Sequence, residues 1–189
     1  AFEKFPDIVQ AFSTRLGGVS QGIYSSMNLS FTRGDDEAAV HENYRRFAAA
    51  VGFEAEDIVT SDQTHTANVR VITEEDRGNG ITKPRQYTDV DGMITNVPGI
   101  VLATFYADCV PLYFVDPVHH AIGLSHSGWR GTAAIRRGAR LAADALLQRH
   151  ALRNCRFAYA FKFGHRFVHC RVAVGPLQLV QRRVFQLIG

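Results

Sequence analysis

Three residues of this chain pair reactive side chains with local sequence that exposes them. Cys109 closes Ala107-Asp108-Cys109 at the end of an apolar, strand-like run and precedes Pro111. A thiol at a strand end projects into whatever cleft the strand borders. His126 lies in Ser125-His126-Ser127-Gly128-Trp129-Arg130-Gly131, where the glycines permit close approach of backbone or ligand. Trp129 offers a stacking surface there and Arg130 an anion contact. His65, in Asp62-Gln63-Thr64-His65, falls between two strand-like segments. One thiol and two imidazoles brought together make either a metal site or an activated-thiol site. Because 43 and 16 residues separate them, spacing alone does not unite them, and the fold must.

The elements that would do so are legible in part. Residues 8–12 suit a strand, and Leu16-Gly-Gly-Val-Ser20 a loop. Asp35 or Asp36 can cap a helix, since a carboxylate accepts from the free N–H groups of a first turn. Val40, Tyr44, Phe47, Ala48 and Val51 then recur at helical spacing, and Gly52 ends the helix. Residues 67–72 alternate as a strand does, and 73–88, polar with Gly and Pro, read as an exposed loop. Segment 93–126 is the expected core. Residues 99–107, 111–116 and 120–126 form successive strands whose nearly continuous apolar runs imply burial on both faces. A second helix follows the Gly128–Gly131 turn, with Ile135, Ala139, Ala142, Ala143 and Leu146 as its inner stripe. These features predict an α+β (mixed α/β) domain with a central sheet.

A length of 189 residues fits one domain, 1–189, and 46% hydrophobic residues suffice for a core. No apolar stretch reaches the 18 residues of a membrane span, and the N-terminal residues lack the order of a secretory signal. The three cysteines, Cys109, Cys155 and Cys170, have no CxxC spacing, so a reducing cytoplasm is the simpler setting. Charge is uneven. Residues 1–144 hold 13 Lys and Arg against all 18 Asp and Glu, whereas 145–189 hold 8 Lys and Arg and no acid. A basic tail suggests nucleic acid, but this one is rich in Phe, Val and Leu, unlike a solvated arm. Residues 157–163 and 167–174 read instead as strands joined around Gly164-His165.

The segments STRLGGVS (13–20), MNLS (27–30), DQTH (62–65), DVDGMIT (89–95), ADCVPLYFVD (107–116) and SHSGWRGT (125–132) occur in this order. Together they resemble the YfiH family, known also as polyphenol oxidase or laccase-like proteins and as peptidoglycan editing factors. The resemblance spans about residues 10–145. It implies a cysteine-hydrolase-like fold shared with cytotoxic-necrotizing-factor catalytic domains, with central β-sheets flanked by helices. It also implies a zinc site of His65, Cys109 and His126, with copper as another occupant. Three ligands leave a fourth position open, as in catalytic zinc, where a nucleophile becomes available near neutral pH.

The activities implied are purine nucleoside phosphorolysis, of adenosine, inosine and methylthioadenosine, and adenosine deamination, so the partners are a small nucleoside and phosphate. Within that reading Arg15 and Arg130 are anion contacts and Asn28 a substrate hydrogen-bonding group. Asp91 and Asp108 assist proton transfer or orient the ligands. One alternative makes Cys109 a nucleophile with His126 as its base, in a hydrolase or amidase editing peptidoglycan precursors. A multicopper laccase needs about ten His ligands, and the chain has 8 His in all, some outside the motifs. Beyond residue 145 the family's usual IGPSIGPCCYEV-like segment has only an echo in Ala173-Val174-Gly175-Pro176. The expectation is that 146–189 is a frameshifted, truncated or misassigned version of that region.

Overall fold

The computed structural model describes residues 5–128 and the backbone of three later strands. Strands β1 (Ile8–Phe12), β2 (Ile58–Thr60), β5 (Val101–Phe105) and β10 (Arg183–Ile188) form one parallel sheet in the order β1-β10-β5-β2. Strands β3 (Val69–Val71), β4 (Gly92–Thr95), β6 (Val110–Asp116) and β7 (Ala121–Ser127) form a second sheet, ordered β3-β4-β7-β6. There β3 runs parallel to β4, and β7 pairs antiparallel with both β4 and β6. Strands β8 (Tyr159–Phe163) and β9 (Arg166–Cys170) make an antiparallel hairpin, as the alternation in that segment predicts.

The period of two along β2 and β5 explains how the layers stack. Ile58, Val101 and Ala103 face helix α1 (Glu37–Val51), packing against Val40, Tyr44 and Phe47. Val59 and Leu102 point the other way, toward Met93, Tyr113, Ile122 and Leu124 of the second sheet. Strands β2 and β5 are therefore covered on both faces, and the continuous apolar run of β5 follows from that. Burying Leu102 completely removes its side chain from water, and truncating it to Ala costs about 2–5 kcal/mol.

Helix α1 begins and ends where its sequence requires. The Asp36 carboxylate accepts from Ala38 N–H at 3.3 Å, and Gly52 takes a left-handed conformation (φ 96°) that closes the last turn. Segment 73–88 differs from the expected exposed loop. A short 3-10 turn, Glu74–Asp76, buries Asp76, and Asn79 and Ile81 are buried beside it. The polarity that suggested solvent is used internally: Asp76 accepts from Thr73 N–H (2.9 Å), Arg70 (3.0 Å) and Asn79 (3.2 Å). The three-residue strand β2 carries no alternation long enough to read in sequence. The second helix expected over 135–146 lies outside the described residues.

Candidate metal centre

The fold brings His65, Cys109 and His126 together. One ligand atom from each lies within 4.8 Å of the others. His126 is on β7, 5% exposed. Cys109 sits in the turn from β5 to β6, half-buried, and His65 in the exposed loop after β2. Cys109 Sγ is 3.8 Å from His65 Nε2, and the two imidazole rings meet edge to face at 4.8 Å.

Asp91, just before β4, organises the two histidines. Only 1% exposed, its carboxylate takes the His126 Nδ1 hydrogen bond at 2.8 Å. It also accepts from the backbone N–H groups of Thr64 (3.0 Å), His65 (3.1 Å) and Thr66 (2.9 Å). The loop is wrapped around this carboxylate tightly enough to hold His65 at φ 64°, a left-handed conformation uncommon outside glycine. Burial pushes the Asp91 carboxyl up, but the bond to His126 and the N–H donors of Thr66 and Thr64 outweigh it and hold it at about 2. The carboxylate thus stays ionised, and His126 keeps Nε2 for a ligand.

The Cys109 thiol is shifted the other way. Burial raises its pKa first, and the negative charge of Asp108, 3.8 Å from Sγ, adds to the rise. Without a cation nearby the sulfur holds its proton, and a bound cation would reverse that balance.

The donor set fits zinc. Bonds of about 2.3 Å to sulfur and 2.0–2.1 Å to nitrogen, at a tetrahedral angle, place the two atoms about 3.6 Å apart. The Cys109–His65 separation is close to this without rearrangement. A carboxylate on the far nitrogen of a ligating histidine is the usual supporting contact, and Asp91 supplies it to His126. Among the described residues this is the one such cluster.

All three residues line a cavity of about 830 Å³, with Arg15, Asn28 and Asp108 also on its wall. Arg15 gives Nη2 to Ser25 O (3.1 Å). Asn28 braces its own loop, donating to Asp35 (2.9 Å) and accepting from Ser30 N–H (3.1 Å). Arg130 and Trp129 lie outside the described residues, but Gly128 is in place. A Cβ there would come within 2.9 Å of His65 Cδ2, so the close approach read from the glycine is real. Three residues of the site were not singled out by sequence: Gln63, Thr66 and Tyr106. Tyr106 packs its ring 5.5 Å from that of His126 and donates to Ser125 O at 3.1 Å. Gln63 stands two positions before His65 in the motif, and that position was its only signal.

Comparison with known proteins bears on this assembly. The model of the family described as multi-copper polyphenol oxidoreductase laccase matches residues 9–153. The chain belongs to this family, which includes the YfiH proteins. It is 42% identical to purine nucleoside phosphorylase YlmD of Geobacillus stearothermophilus over 130 residues, 68% of this chain and 47% of that protein. It is 38% identical to adenosine deaminase RL5, from an unknown prokaryote, over 133 residues, 69% of this chain and 51% of that one. The crystal structure of YlmD from G. stearothermophilus superposes with a TM-score of 0.62 at 38% identity, covering 74% of this chain and 50% of that one. The α+β fold is therefore shared with YlmD. The chain spans about half the length of the curated relatives it matches. Among the described residues no helix is long and apolar enough to cross a membrane.

Proposed function

We propose that this chain carries the zinc-binding part of a purine nucleoside phosphorylase site that also deaminates adenosine. The observation behind this reading is the convergence of His65, Cys109 and His126 on the wall of a cavity large enough for a nucleoside. One relative named as a purine nucleoside phosphorylase and another named as an adenosine deaminase support it. Zinc, when bound, supplies Lewis acidity and a nucleophile at neutral pH. Asp91 holds His126 in the tautomer that leaves Nε2 free and anchors the loop of His65. Asp108, exposed beside Cys109, is the group assigned to carry a proton at its carboxylate. Arg15 and Arg130 hold phosphate during phosphorolysis of adenosine, inosine or methylthioadenosine. Phe31, on the cavity wall and stacked on Tyr44 at 5.6 Å, offers a flat face to the purine. A thiol ligand at an open rim suits the cytoplasm.

The test combines elemental analysis with assays of adenosine, inosine and methylthioadenosine, with and without phosphate. One equivalent of zinc and phosphate-dependent base release are expected, both lost in Cys109→Ala and in His126→Ala. Base release that persists in both variants removes the trio from the mechanism.

The Asp91–His126 pair favours one second reading, a Cys-His-Asp hydrolase in which His126 activates Cys109. The raised pKa of Cys109 weighs against it. Full hydrolytic activity after proven metal removal would decide for it.

A further inference from the structure

The three edges of the metal triangle are held by different means. The His126–Cys109 edge is set by strand register: Val110, next to Cys109, pairs with Ser127, and Pro111 with His126 itself. The His65–His126 edge is set by Asp91, which binds the ring of one and the backbone of the other. The His65–Cys109 edge joins two loops, and no strand ladder spans it.

Gln63 spans it. Its Nε2 donates to Phe105 O at 2.6 Å, and its Oε1 accepts from Phe105 N–H at 2.6 Å and from the Ser61 hydroxyl at 2.9 Å. The side-chain amide thus acts as one more peptide unit of the β2–β5 ladder, which otherwise ends at Thr60↔Ala103 and the bond from Ser61 N–H to Ala103 O. Phe105 is the last residue of β5, four before Cys109, and Gln63 is two before His65. The clamp therefore fixes the relative position of the two segments that carry these ligands.

We infer that Gln63 is a positioning residue of the metal centre, acting by setting the His65–Cys109 separation. The inference rests on the proposed metal site. Gln63→Met keeps length and shape and removes both bonds to Phe105. Loss of one supporting contact around a metal site costs about 10–100-fold in metal affinity, and about tenfold or more is expected here.

The test uses cobalt(II) as the probe, titrated into metal-free, reduced full-length protein. Wild-type protein is expected to develop a thiolate-to-cobalt charge-transfer band. In Gln63→Met the band should be weakened or displaced and affinity reduced at least tenfold. Gln63→Glu can still accept from Phe105 N–H but sets a carboxylate oxygen against Phe105 O, so it too should weaken the band and lose affinity, and it gives a second readout where the Met variant fails to fold. Gln10→Met is the control for a structural effect, because Gln10 donates to the Tyr113 hydroxyl at 3.1 Å, outside the metal triangle. It should change stability without moving the cobalt spectrum. Absence of the band in wild-type protein defeats the metal reading itself. A wild-type band reproduced with equal affinity in both Gln63 variants overturns only the role of Gln63.

Discussion

Asparagine at position 91 should disable the site by an amount that its hydrogen bonds allow to be worked out. Asp91 Oδ1 accepts from His126 Nδ1 and from His65 N–H, and Oδ2 from the N–H groups of Thr64 and Thr66. The amide that replaces the carboxylate must put its NH2 on one side or the other. On the Oδ2 side it confronts two backbone donors and satisfies neither. On the Oδ1 side it strands His65 N–H and forces His126 to accept at Nδ1, which moves the ring proton to Nε2 and blocks ligation. Each buried donor left unmade costs about 1–3 kcal/mol, so Asp91→Asn should lose roughly 1–3 kcal/mol with its NH2 on the Oδ1 side, where one donor is stranded, and roughly 2–6 kcal/mol on the Oδ2 side, where two are. Metal affinity should fall about 10–100-fold. Urea denaturation of the metal-free protein and competition titration with a zinc chelator measure the two effects. Stability within about 0.5 kcal/mol of wild type, together with unchanged zinc affinity, would refute the assignment of Asp91 as organiser.

Other perturbations test separate parts of the structure. Gly128→Ala pushes a methyl to within 2.9 Å of His65 Cδ2 and 3.5 Å of Cys109 Sγ. Overpacking of about 1 kcal/mol should appear chiefly as several-fold weaker metal binding, read by the same titration, and unchanged affinity would mean the ring yields freely. Asp76 has a lowered pKa: burial raises it, but Thr73 N–H and the Arg70 guanidinium lower it further. Its contribution to stability is therefore present above the unfolded value of about 3.9 and is lost as pH falls through the folded value. Urea midpoints of Asp76→Asn should consequently drop less than those of wild type on acidification below about pH 4. Gln63→Met and Asp91→Asn should combine non-additively in metal affinity, by about 0.5–3 kcal/mol, because both act on the loop from Gln63 to Thr66. Simple addition would mean that the two anchors work independently.

What sequence could disclose here depended on how local each cause was. The cap at Asp36, the stripe on α1 and the Gly52 stop are made by neighbours within a few residues, and the structure has them where periodicity puts them. The buried runs of β5, β6 and β7 are also local, since a strand covered on both faces is apolar throughout. Segment 73–88 misled because polarity is ambiguous: Asp76 and Asn79 are buried by bonding each other, Thr73 and Arg70. Only the order of motifs unites the three candidate ligands in sequence, since residues so far apart meet only through the packing of two sheets. What stayed hidden is what holds them. Gln63 bonds Phe105 across 42 positions and Asp91 bonds His126 across 35, and nothing in either side chain's own neighbourhood names the distant partner. The left-handed backbone of His65 was equally invisible, because its cause is the Asp91 carboxylate and not the histidine. A candidate metal site of this kind is therefore specified twice, by candidate ligands that motifs reveal and by polar anchors that only the packed chain reveals. Transferring the motifs alone to another scaffold should bring the ligand types without the 3.8 Å edge between Cys109 and His65 that one shared ion would need.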